Sequence, residues 1–486
     1  MSGRTEKERE KMSSVKKSKI GEQPIYDARA LGAPKMMLLG LQHMFAMFGA
    51  TVLVPVLTGL SVSTTLLFAG IGTLMFHAIT KKKVPAFLGS SFAFIAGYAA
   101  IAPDGEKELL PYACFGVAVA GLMYLVLAGL FKAFGARKVM KYFPPIVTGP
   151  IIIAIGLNLS QSAVDNCATN WWVALVAIAV IIICNIWGKG MIKVIPIILG
   201  VVSSYLVAAF ARLIDFTAVR EAAWIGLPVQ WDRTVFGIWT NGNVNTSLLI
   251  SSVIMIVPIS FATMMEHIGD ISAISSTVGQ NFIQDPGLHR TLTGDGLATT
   301  VASLFGAPAN TTYGENTGVL TLTRVYDPRV IRLAAVFAVI LSFCPKFAAI
   351  IEVMPAATIG GISLVLYGMI SAVGVRNIVE TKVDFSKSRN VIVAALILVL
   401  SIGINYSSAG SVGFTVGATT ISFSGLAVGS FAGIILNAIL PGKDYNFAEE
   451  TPNDTGVDFQ IAQGESLSEE EDEENEKKDK DNNIVR

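Results

Sequence analysis

Three carboxylates stand inside otherwise apolar sequence: Glu266 and Asp270 in VPISFATMMEHIGDISAI, and Glu315 in NTTYGENTGVLTLTR. A separation of four puts Glu266 and Asp270 on one helix face. Thr263 shares that face, so it reads as a polar stripe turned toward a cavity. Asp270 reads equally well as a headgroup-level residue, and His267, on another face, as a packed or interfacial histidine. Glu315 follows Tyr313-Gly314 and precedes Gly318, which allows close backbone approach and a broken helix. A helix restarting there points free backbone N–H groups into the break. An acceptor side chain beside backbone donors suits a small planar ligand carrying amide N–H and C=O groups, whereas it repels an inorganic anion. Carboxylates placed in lipid are functional candidates by default. Glu266 or Glu315, removed from water, can also take up a proton and so couple transport to a proton gradient.

A second irregular stretch, PAFLGSSFAFIAGY, offers the hydroxyls and backbone of Ser90 and Ser91 and the ring of Phe92, which can stack on a flat ligand. Gln42 and His43 are polar residues in the first apolar run, and Tyr367 in GISLVLYGMI can reach a cavity. Taken singly, Phe92, His43 and Tyr367 read as packing residues. No nucleophile–base pair, metal-ligand cluster or phosphate loop stands out. The chain is therefore not read as an enzyme, and no cofactor, metal or nucleic-acid partner is expected. The four cysteines (Cys114, Cys167, Cys184, Cys344) form no CxxC pair and read as buried, inert thiols.

These residues must be positioned by membrane helices. The 486 residues are 52% hydrophobic and only 15% charged, against roughly 25% charged for a soluble domain. Runs such as VALVAIAVIIICNIW and VIVAALILVLSIGI are apolar on every face, which favours lipid. About fourteen crossing segments are expected. The first seven fall near 37–57, 63–80, 86–101, 111–134, 145–160, 171–187 and 192–213. The others fall near 247–268, 291–306, 313–325, 330–350, 355–374, 391–406 and 417–440.

Lys81–Lys83, Arg137, Lys138, Lys141, Lys189, Lys193, Arg329, Arg332, Arg376, Lys382, Lys387 and Arg389 follow even-numbered segments. The positive-inside rule then puts both termini in the cytoplasm. Residues 1–35 and 441–486, the latter ending in an acidic run, read as disordered tails, and no signal peptide is apparent. A polar connector over 214–246, containing Trp224, Trp231 and Trp239, separates a seven-span unit at 36–213 from another at 247–440. An odd number of spans per half requires opposite insertion, which is the expectation for an inverted repeat. The third span of each half is short and broken by small polar residues. Such a matched pair is the best sequence pointer to a transporter's substrate site.

LQHMFAMFGATVLVPVL, PAFLGSSFAFI, MMEHIGD, QDPGLHR and NTTYGENTGVLTLTRVY resemble, in order from about residue 40 to residue 390, the nucleobase–ascorbate transporter family and within it the bacterial uracil permease subgroup. The resemblance implies an all-α polytopic protein of two inverted seven-span repeats. Spans one to four and eight to eleven would form a core domain, the rest a gate domain, with short antiparallel strands in spans three and ten. It implies that Glu266 and Glu315 bind a pyrimidine ring, that the backbones of Phe92 and Gly314 donate to it, that Ala50 lines the site and that Tyr367 approaches from the gate. His43 would support the site, and proton coupling would involve Glu266, Glu315, Asp270 or His43. Asp270 stands where some uracil permeases carry a histidine. Purine carriers of the family tend to have Gln at the position of Glu315, so the carboxylate favours uracil over xanthine or urate.

The function implied is proton-coupled uracil import across a bacterial cytoplasmic (inner) membrane, with sodium the less favoured ion and a homodimer through the gate domains. The alternatives are a purine symporter or an anion exchanger of the same fold, against which Glu315 argues. A non-transporting receptor or scaffold would not require paired broken spans.

Overall fold

The computed structural model describes residues 20–443 apart from 22, 104, 136, 137, 140, 190, 191, 193, 194, 241–243, 417 and 418; for Glu315, Glu380, 414–416 and 419–422 it describes the backbone only. Most of the two tails expected over 1–35 and 441–486 lies outside the described residues. The part of the first tail that is described is folded. Ile25 bridges Val325 in parallel, Ala28–Leu31 makes a 3-10 turn, and Ile25 and Ala28 bury against Leu39, Val325 and Val330. Asp327 accepts from the backbone N–H of Ala28 at 2.8 Å and Arg329 reaches Asp27 at 3.1 Å. The tail reading missed this segment because its few apolar residues are spaced too widely to form a helical stripe.

Among the described residues, seven helices are long and apolar enough to cross a membrane. They are joined by four shorter apolar helices and one bent pair. With the polar helix Leu288–Leu304 and the half-helix Gly314–Thr323 these make up the fourteen segments of two inverted seven-span repeats. Span eight runs over Thr246–Val278, ten residues beyond the expected end at 268, so Glu266 and Asp270 lie within it rather than at its end. Span eleven bends by 88° between Pro328–Ser342 and Pro345–Glu352, where Pro345 cannot continue the first helix's hydrogen bonding. Residues 419–424, expected as part of the last span, instead form a strand of a hairpin. Its strands, Ser411–Val416 and Thr419–Ser424, pair antiparallel, and the helix begins at Gly425. The period-two alternation of Val412, Phe414 and Val416 accounts for the strand.

Spans one to four pack with eight to eleven, and spans five to seven pack with twelve to fourteen, giving two helical groups. In the first group, spans four and nine approach so closely that a Cβ on Gly121 would lie 2.8 Å from the Gly296 carbonyl, and one on Gly296 2.6 Å from that of Gly121. Small residues at such crossings are how membrane helices gain van der Waals contact.

At the centre, strand β1 (Leu88–Ser90) pairs antiparallel with β2 (Asn310–Thr312), with Leu88 opposite Thr312 and Ser90 opposite Asn310. The backbone bonds Ser91 N–H to Ala309 O (2.8 Å) and Tyr313 N–H to Phe87 O (3.0 Å) extend the pairing at both ends. Each strand is held by a threonine of the preceding span. Thr73 Oγ1 donates to Leu88 O (3.2 Å) and accepts from Leu88 N–H (2.9 Å), while Thr299 donates to Asn310 O (2.8 Å). Spans two and nine are the second spans of their repeats, so the two threonines reflect the internal symmetry.

A side chain at Gly89 has no room, because its Cβ would lie 2.4 Å from the Tyr313 ring and 2.7 Å from Thr51 Oγ1. Gly89→Val is expected to destabilise the purified protein by about 1–3 kcal/mol or more. The readout is a clear fall in melting temperature, whereas Gly129→Ala, where nothing lies within 4 Å, leaves it unchanged. An unaltered melting temperature for Gly89→Val would contradict this account of the crossing.

Candidate functional site

Beyond each strand the chain restarts as a helix, Phe92–Ile101 on one side and Gly314–Thr323 on the other. Neither start has a side-chain cap. The last strand-paired N–H groups belong to Ser91 and Tyr313, so those of Phe92 and Gly314 are the first beyond the pairing. They carry the partial positive charge of a helix start and are available to a ligand. Beside them is a cavity of about 520 Å³, lined on one side by Phe92, Glu266, Asp270 and Gly314. The other wall comes from the second helical group, including Ile152, Met369 and Arg376.

The structure thus brings four of the sequence-selected residues to one space: Phe92, Glu266, Asp270 and Gly314. Asp270 is buried, and Thr312 Oγ1 of β2 donates to its Oδ2 at 3.0 Å, tying span eight to the crossing. Glu315 is the second residue of its half-helix; its side chain lies outside the described residues. Three other selected residues stand behind the cavity. Ala50 is fully buried and Ala46, one turn earlier, lines the cavity instead. Tyr367 is buried with its ring edge-on to Phe92 at 5.6 Å, where it supports that ring. His43 is fully buried, and Asn316 Nδ2 donates to its carbonyl and meets its Nδ1, each at 3.1 Å.

Further polar contacts complete the surroundings, joining residues singled out in the sequence (Ser90, Thr263, His267) to others that were not (Thr51, Tyr124, Asp295). Tyr313 OH donates to Ser90 O at 2.9 Å, and Ser90 Oγ donates to Thr51 O at 2.8 Å, pinning span one to the crossing. Tyr124 OH donates to Thr263 Oγ1 at 2.6 Å. His267 Nδ1 lies 3.0 Å from Asp295 Oδ2, both side chains fully buried between spans eight and nine. Asp295 carried a readable signal as a carboxylate inside an expected span, whereas Tyr124 is one aromatic in an apolar run and offered none. No group of His, Cys, Asp and Glu suited to a metal is found among the described residues.

Asn316 is expected to be structural as well as adjacent to the site. Asn316→Ala leaves the His43 carbonyl and ring nitrogen buried without that donor. The carbonyl keeps its place in the helix Ala33–Thr58, and an orphaned buried ring nitrogen costs about 1–3 kcal/mol. A lowered melting temperature is predicted, and an unchanged one would contradict the bond's importance.

Residues 34–410 match the model of the Permease family. The uracil permease of Bacillus caldolyticus is 40% identical over 428 residues, covering 86% of this chain and 95% of that relative. The uracil permease of Escherichia coli K12 is 35% identical over 412 residues, covering 82% and 90%. Among solved structures, the transmembrane domain of a cyanobacterium bicarbonate transporter, BicA, superposes with a TM-score of 0.55 at 15% identity, covering 85% of this chain and 99% of that one. The overall structure of SLC26A9 gives 0.60 at 13% identity, covering 90% and 69%. At such identities the likeness is one of fold. The chain belongs to the Permease family, in its nucleobase–ascorbate transporter branch, and is an integral membrane transporter.

Proposed function

We propose that this permease imports uracil across the bacterial cytoplasmic membrane by symport with a proton, with both termini in the cytoplasm and the halves 36–213 and 247–440 inserted in opposite orientations. The observation that carries the reading is the convergence of two uncapped helix starts, at Phe92 and Gly314, with the carboxylate of Glu266 on one cavity. Uracil is a flat ring bearing two ring N–H groups and two carbonyls. The backbone N–H groups of Phe92 and Gly314 donate to its carbonyls, while Glu266 accepts from a ring N–H. Glu315, next in sequence to Gly314, is assigned the second acceptor. The edge of the ring is thus read by donors and acceptors together, and a site built this way rejects analogues that leave its buried groups unpaired.

Coupling follows from the same groups. Binding a proton at Glu266 or Glu315 removes a charge that would be costly to carry through lipid with the substrate. Asp270, bonded to Thr312, and His43, bonded to Asn316, are the further groups in reach of the crossing. Sodium is the less favoured ion. The cavity extends toward Leu322 and Arg376, on the side of the Lys- and Arg-rich turns, which corresponds to an inward-open state. Movement of the first helical group against the second would close it. A homodimer through the second group belongs to the same reading.

Labelled uracil uptake into proteoliposomes tests the proposal. An inward proton gradient should drive accumulation that excess xanthine leaves intact. Glu266→Gln and Glu315→Gln should each lower uptake by about tenfold or more, the cost of losing a hydrogen bond to a charged group. Uptake indifferent to the gradient, or competed by xanthine, would contradict it.

A further inference from the structure

Ala223–Leu227 in the connector presents Trp224, Ile225 and Leu227 at 72%, 85% and 84% exposure. The segment is not a loose loop. Gly226 N–H donates to Phe343 O at 3.0 Å, Lys346 N–H donates to Ala223 O at 2.9 Å, and the Lys346 ammonium lies 5.1 Å from the centre of the Trp224 ring. The chain that follows is equally fixed. Thr64 Oγ1 of span two donates to Pro228 O at 2.5 Å, Val229 packs in a cluster with Phe68 and Phe305, and Val235 N–H donates to Leu304 O at 3.1 Å. Three large apolar side chains are therefore held outward on a clamped backbone.

The clamp point gives their depth. Phe343 and Lys346 flank the 88° bend of span eleven. Pro328–Ser342 has 15 residues, about 22 Å of helix at about 1.5 Å per residue, which is most of a hydrocarbon core of about 30 Å. Where it enters from the Lys- and Arg-rich side, the bend lies in the far part of the bilayer and turns Pro345–Glu352 close to the membrane plane, next to the polar connector. The same span exposes Ile340 at 64% and Phe343 at 39% just before it, so its apolar surface leads up to the segment. A tryptophan and a lysine side by side at this level are the usual anchors of a membrane interface. Neighbouring Ile and Leu in water would forfeit the gain from burying them.

We propose that Ala223–Leu227 is an interfacial anchor. In this arrangement Trp224, Ile225 and Leu227 insert into the headgroup–acyl boundary of the leaflet opposite the Lys- and Arg-rich turns, and the Lys346 ammonium faces the headgroups. Because the connector is bonded to the ends of spans two, nine and eleven, the anchor fixes their depth. The inference needs only that the chain crosses the membrane and is independent of the solute carried.

The test is tryptophan fluorescence in vesicles whose lipids carry bromines high on the acyl chain. The difference between wild type and Trp224→Phe isolates the Trp224 emission, which should be quenched by the brominated lipid to less than half and protected from aqueous acrylamide. Ile225→Cys carrying a nitroxide should independently show higher collision with oxygen than with a water-soluble nickel chelate. Emission quenched by acrylamide and not by bromine, or a label favouring the chelate, would overturn the proposal in favour of a water-facing segment. Protection from both agents with dipolar broadening between labels would overturn it in favour of contact with a second copy.

Discussion

Backbone N–H and C=O groups that lipid cannot hydrate must find partners within the protein, and two breaks in the middle of a helical bundle multiply that demand. Here the breaks satisfy each other. β1 and β2 supply one another's partners, Thr73 and Thr299 take up outward-facing carbonyls, and Tyr313 closes the link to Ser90. The N–H groups of Phe92 and Gly314, where the helices restart, lie beyond the pairing, on residues that line the cavity. The constraint that makes broken spans costly is thus also what aims donors at the cavity. It fixes where a ligand can sit before any side chain is considered.

Around this crossing the first helical group is stiffened by polar contacts between spans. Span one is tied through Ser90 and Asn316, span eight through Thr312 to Asp270 and through His267 to Asp295, and span four through Tyr124 to Thr263. Buried polar pairs of this kind contribute little net stability, but breaking one leaves an expensive orphan. They hold Phe92, Gly314 and Glu266 in a fixed relation. The second group offers a mostly apolar wall in Ile152, Met369 and Val373. Apolar contact across such a wall is not directional, which suits a cavity that must open and close, although Tyr205 OH of span seven also donates to Ile350 O of span eleven at 3.1 Å.

Much of this was legible in sequence because it rests on local signals. All-round apolarity marks the spans, and Gly-, Ser- and Asn-rich interruptions mark the two breaks. What escaped depends on tertiary neighbours. Nothing local says that Ala46 rather than Ala50 faces the cavity, because one helical turn is below the precision of a span boundary. Tyr367 was expected at the cavity and stands behind Phe92, since the aromatic between them fills the space. The bend at Pro345 and the Ser411–Ser424 hairpin had readable proline and period-two signals, which the continuous apolar run masked. Asp295 and His267 were visible individually, but their pairing joins positions on two different spans.

The central claim is that the crossing of the two broken spans forms the floor of the binding site. A structure of the protein with uracil bound tests it most directly. The ring should lie within hydrogen-bonding distance, about 3 Å, of the backbone nitrogens of Phe92 and Gly314 and of the Glu266 carboxylate. Uracil found elsewhere in the cavity, for example beside Arg376 with both helix starts unoccupied, would contradict the account.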